Sequence, residues 1–103
     1  MAEIDKAMAG INERTYYDAA MYYYNSGKDL EQALEWMNLA IDKMGEPKFW
    51  VLHNKAKILA DMDMFEKAIL TAQESLELAK KADYTPYIRL NEKMIDKWST
   101  MND

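Results

Sequence analysis

The chain has 103 residues, half of them hydrophobic and 30% charged, with a formal net charge of -5, three glycines, two prolines and no cysteine. This length supports one domain with a modest core, and the absence of cysteine excludes disulfides and thiolate metal sites. A single histidine, His53, is too few for a histidine zinc site, and the acidic balance argues against nucleic acid, whose binding requires Lys and Arg to displace counterions.

Scarce Gly and Pro leave little turn material for a β-rich fold, whereas apolar residues recurring at three- and four-residue steps predict an all-α chain. No stretch approaches the length of a membrane span, and MAEIDKAMAG lacks the apolar run of a signal peptide, so a soluble chain without a membrane partner is expected. In chain order, residues 1 to 12 predict a short helix or disorder, with Gly10 as a break. A first helix spans roughly 13 to 26 and ends at Asn25-Ser26-Gly27. A second begins at Asp29, whose carboxylate suits exposed first-turn amides while Gln32 reaches back, and Gly45 ends it. Pro47 suits the first turn of a third helix, and Asp63 with Glu66 repeats the capping arrangement for a fourth, which extends through LELAKKA. A fifth opens near Thr85-Pro86 and carries Tyr87, Leu90, Met94 and Trp98 on one side; residues 100 to 103 are read as a tail. Short connections make neighbouring helices antiparallel, giving a hairpin over 13–45, a second over 46–83 and a terminal helix over 85–99.

The run TYYDAAMYYYNSG raises the prospect of an aromatic box. Helical angles separate its rings instead: Tyr17 and Tyr24 lie within about 20° of each other, Tyr16 and Tyr23 roughly 100° to one side, and Tyr22 nearly opposite. Tyr17 and Tyr24 are expected in the core. Tyr16 and Tyr23 should pack on a neighbouring helix or, if left open, mediate self-association into a homo-oligomer. Tyr22 is the ring expected to face a partner. Met21, Met37, Met44 and Met94, with Trp36 and Trp98, are read as packing residues. Lys55, between Leu52 and Leu59 on the apolar face, must pack its stem and carry its amine to a carboxylate or to water.

Sliding the sequence by about 35 residues lays Tyr17, Met21, Tyr24, Ala33, Met37 and Ala40 over Leu52, Ala56, Leu59, Ala68, Ala72 and Ser75. With LEQALEWMNLAIDKMGEP as its closest stretch, this pattern resembles the tetratricopeptide repeat, a helix-turn-helix unit with small residues where backbones approach. Met21 and Ala56 replace the family's glycine, Lys55 replaces its usual leucine, and the second unit lacks the closing proline. The resemblance implies a right-handed solenoid of about two repeats over residues 13 to 99, closed by a capping helix, with Ala33 and Ala68 at the closest approach. A second resemblance, carried by YYDAAMYYYNSGKDLEQALEWMNLAIDKMGEPKFWVLHNKAKILADM and RLNEKMIDKW, is to the C-terminal helical region of uncharacterised secreted bacterial proteins. It implies a fragment or stand-alone relative of an accessory region, periplasmic or secreted.

In tetratricopeptide arrays the first helices of successive units line a concave groove for an extended peptide or partner helix. Mapped here, that face comprises Asp18, Tyr22, Asn25, Trp50, His53, Asn54, Lys57 and Arg89, with Glu92 beyond. Asn54 and Arg89 match two positions of a sub-family's clamp for a terminal carboxylate, but Asp18 would repel that group. The expected function is therefore protein–protein interaction without catalysis, cofactor or metal; the alternative is a structural or oligomerisation module with no separate ligand. An enzyme built on His53, Lys57 and Asp18 is the weakest reading, because no nucleophile context accompanies them.

Overall fold

The computed structural model describes residues 13 to 101, and among these every regular element is a helix: α1 (Glu13–Asn25), α2 (Leu30–Met44), α3 (Phe49–Asp61), α4 (Phe65–Lys81) and α5 (Thr85–Met101). The expected short helix or disorder at 1 to 12 lies outside the described residues. Thr100 and Met101, read as tail, belong to α5, where the Thr100 hydroxyl donates to the Asp96 carbonyl at 3.1 Å; residues 102 and 103 lie outside the described residues.

Three of the helix ends share one physical solution. After α1, Lys28 N–H reaches back to Tyr23 O and Gly27 N–H to Tyr24 O; after α3, Met64 bonds Leu59 O and Asp63 bonds Ala60 O; after α4, Tyr84 bonds Ala79 O and Asp83 bonds Lys80 O. This paired closure satisfies carbonyls that would otherwise be orphaned, and it needs one left-handed residue: Gly27 (φ 69°), Asp63 (φ 61°) and Asp83 (φ 55°). Asp63 therefore ends α3. The expectation that it caps α4 is corrected, since the residue preceding that helix is Met64 and makes no side-chain cap bond. Asp29 does cap α2, accepting from Glu31 N at 3.0 Å and Gln32 N at 3.3 Å, but Gln32 turns forward to Glu35 rather than back. Pro47 likewise falls before α3, not in its first turn, because Lys48 is the flanking residue and Phe49 begins the helix. Pro86 sits in the first turn of α5, where no amide partner is lost.

The hairpin α1/α2 and the hairpin α3/α4 each pack along their length, and α5 lies chiefly on α4. The first helices also touch in succession, α1 with α3 and α3 with α5, whereas no Cα pair of α2 and α4 comes within 8 Å. Two apolar cores result. One joins Ala20, Ala33, Met37, Val51 and Ile58; the other joins Ala56, Leu59, Ala60, Ala68, Ala72 and Trp98, and Leu34 packs against both. Ala33 and Ala68 are fully buried, and an alanine there admits a neighbouring backbone that a larger side chain would hold off. Met21, Met37, Met44, Met94, Trp36 and Trp98 all belong to these cores.

The tyrosine groups fall differently from their helical angles. Tyr16 is the buried ring, 6% exposed, with the Lys43 amine 5.7 Å from its centroid. Tyr23 is half-buried and meets Trp36 edge-on at 4.7 Å. Both rings thus pack within their own chain, as the first of their two readings expected. Tyr17 and Tyr24, expected in the core, are half-buried and pack against the core of Ala20, Ala33 and Met37, with their hydroxyls turned to α3. On α5 the apolar side is Tyr87, Asn91, Met94 and Trp98; Leu90, assigned to that side by its hydrophobicity, is 42% exposed.

Candidate interaction surface

Helices α1, α3 and α5 lie side by side, and the residues between them are polar as well as aromatic. At the first seam, Asn54 Nδ2 donates to Tyr17 Oη at 2.7 Å and to the Trp50 carbonyl at 2.9 Å. One turn further, Tyr24 faces α3, with the Lys57 amine 5.7 Å from its ring; burial, and then the Asp61 carboxylate beside it, push its phenol up to about 12.

At the second seam three hydrogen bonds run in one direction. His53 Nδ1 lies 2.8 Å from Asn91 Oδ1, Asn91 Nδ2 donates to Ser75 Oγ at 2.8 Å, and Ser75 Oγ donates to the Phe49 carbonyl at 2.6 Å. Since the Asn91 oxygen can only accept, His53 must carry its proton on Nδ1. Burial pushes the imidazole below its ordinary value, which outweighs the opposing Asn91 bond, and the Lys57 charge pushes the same way. His53 is therefore neutral at neutral pH. Among the described residues no buried side-chain nitrogen or oxygen lacks a partner.

This arrangement corrects two assignments. His53 and Asn54, expected on the open groove, are buried (5% and 9% exposed) and fasten α3 to α5 and α1. Nor do the three residues of the enzyme reading converge: His53 turns to Asn91, Lys57 to Tyr24, and Asp18 to Arg14 at 3.8 Å. The Ser75 hydroxyl proton is committed to a backbone carbonyl. Asn91 and Ser75 were missed as functional polar residues, although Asn91 falls four residues after Tyr87 and three before Met94, which is core spacing.

What stays open is aromatic. Trp50 and Tyr84 are 40% and 46% exposed, and with Phe49 and Tyr87 they wall an open concavity of about 360 Å³. Phe49 is its centre, stacked on Tyr84 at 5.4 Å, edge-on to Trp50 at 5.0 Å and tilted to Tyr87 at 5.2 Å. Trp50 also borders a second hollow of about 440 Å³ that includes Arg14, Tyr17, Asp18, Lys48 and Val51. Tyr22 is exposed, but Lys28 lies over its ring at 4.9 Å. Asn25, Arg89 and Glu92 are exposed beyond these hollows, and Lys57 is half-buried. Phe49, Tyr84 and Tyr87 could have been found from the sequence, because a shift of about 35 residues lays Tyr84 on Phe49 and Tyr87 on Leu52. No family model, curated protein or solved structure matches the chain.

Proposed function

We infer that the chain is a protein–protein interaction module, a tetratricopeptide-like array of two hairpins and a terminal helix that takes an extended peptide or helix along α1, α3 and α5, without catalysis. Two regularities support the array. First helices touch first helices while α2 and α4 stay apart, and the cross-helix bonds Tyr17 to Asn54 and His53 to Asn91 span 37 and 38 residues, nearly the same offset at both seams. A stack of similar units gives such a repeated offset.

The observation that carries the binding reading is the exposed ring cluster around Trp50. Large rings left in water at the mouth of two adjoining hollows are the composition of an interface centre, where Trp and Tyr supply most of the energy. Arg14, Asp18 and Lys48 at the rim would orient a partner of mixed charge.

Selection from a peptide library, followed by titration against Trp50→Ala, Tyr84→Ala and Tyr22→Ala, tests this. Trp50→Ala and Tyr84→Ala should each weaken binding by about tenfold or more with little change in melting temperature. Tyr22→Ala should matter less, because Lys28 already occupies its ring face. Selected peptides indifferent to Trp50 and Tyr84 would remove the reading.

A further inference from the structure

A third hollow, of about 330 Å³, opens where α2 and α4 fail to meet. Leu34, Leu59 and Leu70 give it apolar walls, and Lys55 and Lys67 bring two ammonium groups to the same space. Lys55 stands roughly 140° around α3 from Trp50, so the cleft is separate from the aromatic surface. Lys55 is half-buried, and of the two destinations expected for its amine, a carboxylate or water, no carboxylate pairs with it among the described residues. Glu74 and Asn38 also line the cleft, yet among the described residues neither lysine has an ion-pair or hydrogen-bond partner. Leu70, 57% exposed, stands on the rim.

We propose that this cleft binds a partner protein segment presenting apolar side chains beside carboxylates, as an acidic amphipathic helix does. The leucines would take the apolar side chains and Lys55 and Lys67 the carboxylates. Charge complementarity decides the sign of the occupant: two lysines without an ion-pair partner among the described residues line the cleft against one glutamate, on a chain whose net charge is -5. No partner within the described residues has to be displaced from either lysine before a carboxylate can pair with it. The groove between two helices suits an amphipathic segment, whose apolar face would cover Leu34 and Leu70.

Three short helical peptides with the same leucine face, flanked by glutamates, glutamines or lysines, are titrated into the full chain and followed by amide chemical shifts. The glutamate peptide should bind about tenfold or more tightly than the glutamine peptide, weaken as salt rises, and shift the amides of Asn38, Lys55, Lys67 and Leu70. The Lys55→Met, Lys67→Gln double variant should lose that preference. Its melting temperature should equal or exceed that of the unaltered chain, because an unpaired ammonium has been replaced by an apolar stem. Equal binding of all three peptides, shifts confined to the Trp50 region, or binding of dodecanoate without any peptide would overturn the proposal. So would a marked fall in melting temperature, which would mean that the lysines are paired within the fold.

Discussion

Protonating His53 places a charge beside Lys57 and against the Tyr87 ring, at a site where burial has already displaced most of its water. Its folded value is depressed, so its contribution to stability is complete above the ordinary value of 6.5 and is lost as pH falls below it toward the folded value. The difference in unfolding free energy between the wild type and His53→Gln should be level above pH 7 and fall below 6.5, with a slope of at most about 1.4 kcal/mol per pH unit. Denaturant melts across that range measure it, and the chain's only imidazole can be titrated directly by NMR. Tyr24 acts at the other end of the scale: its neutral phenol supports the fold below pH 10, and that support fades as pH rises toward 12. Within the polar chain, Ser75→Ala removes the acceptor of the Asn91 amide and the side-chain donor to the Phe49 carbonyl together. A loss of about 1–3 kcal/mol is expected, read from the shift in denaturant midpoint. Buried polar residues were the least legible part of the sequence. Helical spacing placed residue 91 inward, but hydrophobicity assigned that side to Leu90, and only the facing Ser75 and His53 make a buried asparagine favourable.

At the scale of the helix, the left-handed closures at Gly27, Asp63 and Asp83 are one motif built from two residue types. Aspartate tolerates that conformation better than most side chains, but glycine adopts it without the Cβ clash. Asp63→Gly and Asp83→Gly should each stabilise the chain by about 0.5–1 kcal/mol, raising the melting temperature by about 2–8 °C. Gly27→Ala should destabilise it by a similar amount, although open space surrounds its Cβ position. The ends of α1 and α2 were readable because glycine has few alternative uses after an apolar run. Asp63 was not, since aspartate serves equally at the start of one helix and just past the end of another. The left-handed φ of Asp63 and the bonds from Asp63 to Ala60 O and from Met64 to Leu59 O distinguish the two roles.

Across the whole molecule, the two cores meet where Leu34 reaches both, and the join between the hairpins is the sparser packing. Leu34→Ala removes apolar bulk from both sides of that join, and a loss of about 2–4 kcal/mol with a single remaining transition is expected from combined circular dichroism and tryptophan fluorescence. Two separated transitions would mean that the hairpins unfold independently. The all-helical architecture and its hairpin order were legible because alanines and large apolar residues keep a helical period through α1 to α4. The open surface was only partly so: Trp50 was placed, whereas His53 and Asn54 passed for groove residues, because a helix face between two neighbours looks as polar as one in water when asparagine and histidine bond across it.

The hydrogen-bonded chain through Ser75 also implies an order of events during synthesis. Its acceptor, the Phe49 carbonyl, and its middle hydroxyl come from α3 and α4, which meet only when their hairpin has closed, while Asn91 arrives from α5, which leaves a ribosome after them. A nascent chain stopped at Asp83 can complete the link from Ser75 to Phe49, but its His53 still lacks a receiver. Helix α5 therefore docks onto a polar track already laid, in the register where one asparagine completes it.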